Sequence, residues 1–447
     1  MRPHAQNFSA VTTRSPSLAF LALLLAWTVS PAVAAAPAPA ASEPLPGVAS
    51  PAPPVLAAGV SLGLTEMFEL IKQDSPRLRA LQTEIDLARG EGKAAKVLPN
   101  PVLNLAILYL NSGFNQNGVA TYYANVALPL LVGGQRRFRV KSANAWTRAA
   151  EAGVHQGYLE LAAEGRALHV DLLAAQQRVG LYDAALAELA ALESFAQGRQ
   201  TAGLASEIEV LRISMTAASW QSRRIEAVTA REDLSARLAA LVGRPNWRPW
   251  AAGEFAPVGV EPDAALWAEV ERTQPAIEAA RRREAHAVQG IALARREAVP
   301  VPSLMAGTVV IQNYYSVSTT VGLTVPIPVF DWGQDLRARA EARAIASKRE
   351  REAVSAEVEA ELVRAAQVLK LRRDALGDYE ARVVAQAERM RSLADDAFRA
   401  GKAEPADLVE AAELRFDALL GQVDLKVALM QAEVDLLTAA GRVEEVR

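Results

Sequence analysis

From Val154 onward apolar positions recur at alternating spacings of four and three: Val154, Tyr158, Leu161, Gly165, Leu168, Leu172, Ala175, Val179, Tyr182, Leu186 and Leu189. A second run does the same through Val358, Leu362, Ala365, Leu369, Arg372, Leu376, Tyr379, Val383, Gln386, Met390, Leu393 and Ala397. A mean spacing of 3.5 sustained over several heptads predicts coiled-coil packing. No proline lies between Pro129 and Pro245 or between Pro328 and Pro405, so nothing interrupts these helices. A helix over about 136–197 would run roughly 90 Å at 1.5 Å per residue. That length belongs to an extended helical object rather than a compact domain.

Between the helical tracts the period changes. Residues 101–112 (PVLNLAILYLNS) and 119–131 (VATYYANVALPLL) flank a turn rich in Gly and Asn. Residues 302–313 and 317–328 flank a second, shorter turn. Each reads as a strand of about 10 to 12 residues. Leu103, Leu105, Ile107 and Tyr109 fall on one face, Asn104, Ala106 and Leu108 on the other. Length, alternation and the aromatics Phe114, Tyr122, Tyr123, Tyr314 and Tyr315 near one end fit membrane β-barrel strands. A soluble two-hairpin sheet fits the strands alone equally well. Four strands cannot close a barrel with a lumen, so a membrane reading requires several copies of the chain.

The plan is written twice. Residues 126–135 (VALPLLVGGQ) and 325–334 (VPIPVFDWGQ) align without a gap, and Pro76 with Pro275, Pro101 with Pro300 and Gly134 with Gly333 keep the same offset of 199. Gly203 matches Gly401 at 198. One unit of roughly 180 residues therefore occurs in tandem: residues 62–243 and 263–442, joined by 244–262. Each copy reads as an amphipathic helix (about 65–96 and 263–297), a hairpin, a very long helix and a helix of about 40 residues. Pro129 and Pro328 are expected to end the second strand of each hairpin, since proline cannot donate to the ladder. Gly134-Gln135 and Gly333-Gln334 are the structural elbows where strand becomes helix.

Composition adds the compartment. Arg14 precedes a 12-residue apolar run, 18–29, and Ala32-Val33-Ala34 supplies a small-x-small cleavage signal, so residues 1–34 read as an exported leader. Residues 35–61 are an Ala/Pro-rich linker. With no Cys in 447 residues, a lipidated N-terminal Cys is not expected and disulfides cannot contribute. A net charge of −3 without a basic block argues against nucleic acid. After the linker no stretch is apolar enough for a membrane helix.

A leader, two repeats of helix–hairpin–long helix–helix, and the elbow VPIPVFDWGQ together with the AG tips resemble the outer membrane factor (TolC-like) family. The phrase IPVFDWGQDLRARAEARA is most similar to the branch serving heavy-metal efflux pumps. The resemblance implies a mainly α fold carrying a membrane β-barrel: a homotrimer whose four strands per chain make 12 in the outer membrane, above a periplasmic helical barrel. It also implies an adaptor protein and an inner-membrane pump as partners, and a duct of a tripartite efflux system or, alternatively, of type I secretion. The tips Gly203, Leu204, Ala205, Gly401, Lys402 and Ala403 would meet those partners, and Asp407, Glu410 and Glu209 become candidates for an acidic periplasmic gate. Ala403 stands where some members carry a basic clamp residue.

Each candidate has a plainer alternative. Glu404, Pro405 and Asp407 also suit the first turn of a helix, with Pro at its start and acids complementing its dipole. Arg372 and Gln386 interrupt the second stripe and either face a lumen or snorkel at a helix boundary. His155 and His169 lie 14 residues apart, about 21 Å along a helix, and cannot share an ion. No metal cluster, phosphate loop or nucleophile–base arrangement stands out, so neither a cofactor nor an enzyme is expected. A periplasmic coiled-coil adaptor, the remaining alternative, would carry one hairpin flanked by small β-domains, whereas here hairpin and strands are duplicated together.

Overall fold

The computed structural model describes residues 61–109, 120–203, 206–261, 264–312 and 316–445. The expected leader, the linker through residue 60, Leu204, Ala205, Phe114, Tyr314 and Tyr315 lie outside them. The first repeat comprises β1 (Ser61–Leu62), α1 (Leu64–Asp74), α2 (Pro76–Ala94), β2 (Val102–Tyr109), β3 (Ala120–Pro129), α3 (Gln135–Thr201) and α4 (Glu207–Val242). After β4 (Trp250–Ala251) the second supplies α5 (Ala264–Thr273), α6 (Pro275–Glu297), β5 (Ser303–Ile311), β6 (Ser316–Thr324) and α7 (Gln334–Tyr379). A π-helical turn, Glu380–Val384, then leads into α8 (Ala385–Arg399), and α9 (Pro405–Ala439) returns.

The first helix of each repeat is two helices, not one. Breaks fall at Ser75 (ψ 119°) and Gln274 (ψ 115°), each directly before a proline at the first helical position. Proline pushes the residue before it out of the α region, which the apolar periodicity does not register.

In α3 the heptad stripe faces inward as read, with Leu161, Leu172, Val179 and Leu189 buried. In the second repeat it holds only to Tyr379. Leu362, Ala365, Leu369 and Leu376 are buried, whereas Val383, Gln386, Met390 and Leu393 are exposed. The cause is the π turn, which adds one residue to the helical path and rotates everything beyond it. Val384, Ala387, Arg391, Ala394 and Phe398 take the inward positions instead. Arg372 and Gln386 are both exposed in the single chain.

Cores of buried residues follow the helices. Leu62, Met67, Ile71, Leu172 and Leu238 gather where α1, α3 and α4 meet β1. Leu362, Leu369, Leu429 and Leu436 join α7 to α9, and Leu189, Ile213, Trp220 and Phe416 join α3, α4 and α9. Around the first of these runs a belt of buried polar contacts. Gln176 both donates to and accepts from the Ala251 backbone (3.0 and 2.8 Å), and His169 Nε2 lies 3.0 Å from the Leu62 carbonyl. The Glu433 carboxylate, 2% exposed, accepts from the amides of Val258 (2.8 Å), Gly259 (2.7 Å) and Val260 (3.4 Å). Arg166 donates to the carbonyls of Val443 and Glu445. Strands β1 and β4 pair in parallel beneath these side chains.

Candidate functional site: a one-sided sheet, two elbows and two helical tips

The four long strands form one antiparallel sheet in the order β2-β3-β5-β6, which leaves β2 and β6 as its edges. Among the described residues β3, β5 and β6 stop short of the ends the sequence pattern suggested. Pro129 is the last residue of β3, but β6 ends at Thr324, so Pro328 lies outside the ladder. Pro326 comes two residues after Thr324 and already lacks the donor needed to prolong pairing.

The register sorts every side chain. Leu103, Leu105, Ile107 and Tyr109 of β2 align with Val126, Ala124, Tyr122 and Ala120 of β3. Tyr122, Ala124, Val126 and Leu128 in turn align with Val310, Thr308, Ala306 and Leu304 of β5, and those with Val317, Thr319, Val321 and Leu323 of β6. That face is apolar apart from two threonines and is openly exposed: Leu105 70%, Val317 70%, Val321 72%. The opposite face carries Asn104, Thr121, Asn125, Ser303, Gly307, Ser316, Ser318, Thr320 and Thr324. One face is almost wholly apolar, while the other mixes these polar residues with Val102, Leu108, Met305, Val309 and Ile311. With 8 to 10 residues per strand, that asymmetry fits a barrel wall between lipid and water. Among the described residues no helix is long and apolar enough to cross a membrane.

Both elbows turn on a left-handed glycine, Gly134 (φ +75°) and Gly333 (φ +78°), set directly before the long helix. A Cβ on Gly333 would come 2.3 Å from Ala298 Cβ, so the position is closed on steric grounds as well. The two glutamines behave differently. Gln135 is fully buried and donates to the Val299 carbonyl at 3.1 Å, fastening the first repeat to the second. Gln334 is exposed and serves its own turn, donating to the Phe330 carbonyl (3.0 Å) and accepting from the Trp332 amide (2.9 Å). Around it Ile327, Phe330 and Trp332 stand 81%, 90% and 54% exposed, with the Arg337 guanidinium 4.2 Å above the indole.

At the far end of the helices Gly203 (φ +74°) and Gly401 (φ +71°) turn the chain. Glu209 sits three residues into α4 in a capping box: the Ser206 amide donates to its carboxylate at 3.1 Å, and its own amide donates to Ser206 Oγ. Asp407 occupies the matching place in α9, accepting from the Glu404 amide at 2.8 Å behind Pro405. Both acids therefore help start a helix. Asp407 and Glu410 are exposed, as are Gly203, Gly401 and Lys402, and Ala403 is half-buried.

A charged cluster just above the tips escaped the sequence reading. Arg391, turned inward by the π turn, donates to Glu188 of α3 (2.7 Å) and meets Asp395 (2.6 Å), while Arg415 of α9 donates to Glu388 (2.8 Å). Phe195 and Phe398 stack edge to face beside it at 5.3 Å. The only signal was Arg391 following Met390 by one position, legible once the rotation of the stripe is known. Burial holds His169 below the usual imidazole range, against the carbonyls of Leu62 and Ala252 and with help from Arg166. Among the described residues no group of His, Asp or Glu could hold a metal ion.

Residues 266–442, essentially the second repeat, match the model of the outer membrane efflux protein family. The chain is 24% identical over 370 residues to the cobalt-zinc-cadmium resistance protein CzcC of Cupriavidus metallidurans, covering 81% of this chain and 87% of that protein. The second repeat is thus similar to the outer membrane efflux protein family. The fold agrees with solved channels. CusC superposes with a TM-score of 0.70 at 17% identity, covering 86% of this chain and 92% of that one. The outer-membrane channel OprN gives 0.67 at 22% (85% and 89%), and VceC of Vibrio cholerae 0.66 at 19% (85% and 96%). The one-sided sheet agrees with the outer membrane location of the channel OprN, to which this fold is similar.

Proposed function

We propose that the chain is the passive exit duct of a tripartite efflux system of the resistance–nodulation–division type, assembled as a homotrimer. The observation that carries this reading is the open sheet. It has an apolar face, a more polar face and two unpaired edges, and it is mounted on a 67-residue helix about 100 Å long. Three copies would close a 12-stranded barrel and satisfy every edge, which lipid requires. The helices would continue the lumen across the periplasm to the tips around Gly203 and Gly401, where an adaptor and an inner-membrane pump would dock.

The cargo we propose is a heavy-metal cation, on the likeness to CzcC and to the metal-pump form of the second elbow. Passage would need no chelating site, because the driving force lies in the pump. Rings of Asp407 and Glu410 at the constriction would attract cations by their summed field. The capping role of Asp407 is compatible with this, since its carboxylate stays exposed.

Native mass spectrometry of protein extracted from separated outer membranes, followed by single-channel conductance, tests the duct. A conducting trimer is expected; a soluble monomer overturns the reading. Asp407→Asn with Glu410→Gln removes the charge while retaining side-chain oxygens, and should lower cation selectivity. A null strain that keeps cobalt, zinc and cadmium tolerance but loses protein export would instead identify a type I secretion duct.

A further inference from the structure

The exposed positions that the π turn leaves behind are still spaced as a heptad seam. Val383, Gln386, Met390 and Leu393 follow one another at three, four and three, and the three apolar members are 39%, 52% and 58% exposed. A second seam of the same kind lies on α4. Ile208, Leu211, Met215, Ala218, Ser222 and Ile225 repeat at three and four, with Ile208 71%, Leu211 52%, Met215 72% and Ile225 55% exposed. Within the chain neither seam has a partner helix in the described residues, although a coiled-coil stripe is a surface built to receive one.

Their positions name the occupant. Below the sheet α2 packs on α3, α3 on α6 and α6 on α7; nearer the tips α4 packs on α3, α3 on α9 and α9 on α8. One flank of the molecule therefore carries β2, α2 and α4, and the other carries β6, α7 and α8. The first flank shows the α4 seam and the free edge of β2, the second the α8 seam and the free edge of β6. A surface that joins these flanks head to tail generates a ring where the rotation between copies closes, as in the trimer proposed above. The levels also agree. Leu211 lies eight residues beyond Gly203 and Leu393 eight before Gly401. Met215 and Met390 follow, twelve and eleven residues away.

We infer that the π turn at Glu380–Val384 transfers the heptad seam of the second repeat from the chain's own core to a neighbouring copy, where Leu393 and Met390 pack antiparallel against Leu211 and Met215, and Val383 against Ser222 and Ile225. Before the turn the stripe buries Leu362, Leu369 and Leu376 within the chain; after it, charged Arg391 faces inward toward Glu188 and the apolar series faces out. One helix thus serves two interfaces in succession. This rests on the trimeric duct proposed above and adds to it the residues that join the copies above the tips.

The native chain lacks cysteine, so paired substitutions report directly on the seam. Leu211→Cys with Leu393→Cys, and separately Met215→Cys with Met390→Cys, are oxidised in the outer membrane and run without reductant. Most of the chain is expected as covalent trimer in both pairs, while each single variant stays monomeric on the gel. Leu211→Cys with Ala394→Cys, whose second position is turned inward, should give less than a tenth of that crosslink. A native trimer in which neither seam pair crosslinks, or in which the Ala394 pair does so equally, overturns the seam and leaves the duct standing. A monomer by native mass spectrometry overturns both.

Discussion

Gln135 donates from Nε2 to the carbonyl of Val299 at 3.1 Å, and the side chain is fully buried. Residue 135 opens the long helix of the first repeat, and residue 299 lies in the connection between α6 and β5 of the second, so this bond ties the first elbow to the second repeat beneath the sheet. Leu130 reinforces it, its amide donating to the Pro302 carbonyl at 2.7 Å. Gln334 holds the same place in the duplicated sequence but has no second repeat beside it in the single chain. The pair therefore separates what a repeat does for itself from what its neighbour completes.

Gln135→Ala should cost about 1 to 3 kcal/mol, because it strands a half-buried carbonyl and opens a void. Gln334→Ala in monomeric protein should cost under about 1 kcal/mol, since it only loosens an exposed turn. Thermal unfolding in detergent measures both. Equal losses would mean the Val299 contact adds nothing beyond the local turn.

The polar belt predicts a pH dependence. Burial holds the His169 pKa below its unfolded value of about 6.5, so the native state keeps a neutral ring where the unfolded chain binds a proton. Its stabilisation is complete above pH 6.5 or so and declines as pH falls from there toward the depressed native pKa. Unfolding midpoints from pH 7.5 to 5.5 should fall more steeply for the natural chain than for His169→Gln. Parallel curves would remove His169 as the source.

Glu433 closes the same belt from α9. Its carboxylate accepts three successive amides of the inter-repeat segment, so Glu433→Gln should cost about 1.5 to 3 kcal/mol by removing charge-assisted bonds. Limited proteolysis should then cut near residues 252–261 at least several-fold faster than in the natural chain. Unchanged cleavage would show that packing of the segment, rather than the carboxylate, holds it down.

Much of this architecture was legible because it was written twice. The 199-residue offset of Pro76, Pro101 and Gly134 marks the repeat, the apolar spacing marks the long helices, and the alternation of Leu103, Leu105 and Ile107 foretells the apolar face. What stayed hidden depends on backbone events that side-chain patterns do not encode. The breaks at Ser75 and Gln274 come from a proline acting on its predecessor, and the rotation at Glu380–Val384 comes from one wide turn that leaves the apolar periodicity intact while changing what it faces. Glu188 and Arg391 are far apart in sequence and meet only because of that turn. The tip acids were visible as residue types, but their capping bonds depend on the conformations of Ser206 and Glu404.

The π turn itself gives the last prediction. It lengthens the helical path by one residue, so removing one residue there should restore a regular helix and leave everything beyond it facing as before. Deletion of exposed Ala381 should therefore keep Arg391 against Glu188 and shift stability by no more than about 1 kcal/mol, within the range of a surface change. Deletion of Ala366 in the regular part of α7 is different. It would swing Leu369 and Leu376 out of the core by about 100° and should destabilise by more than about 4 kcal/mol, as the loss of two buried leucines implies. Circular dichroism melts of the two deletions decide the matter. Comparable damage from both would mean that the wide turn is needed for its own shape and not only for the residue it absorbs.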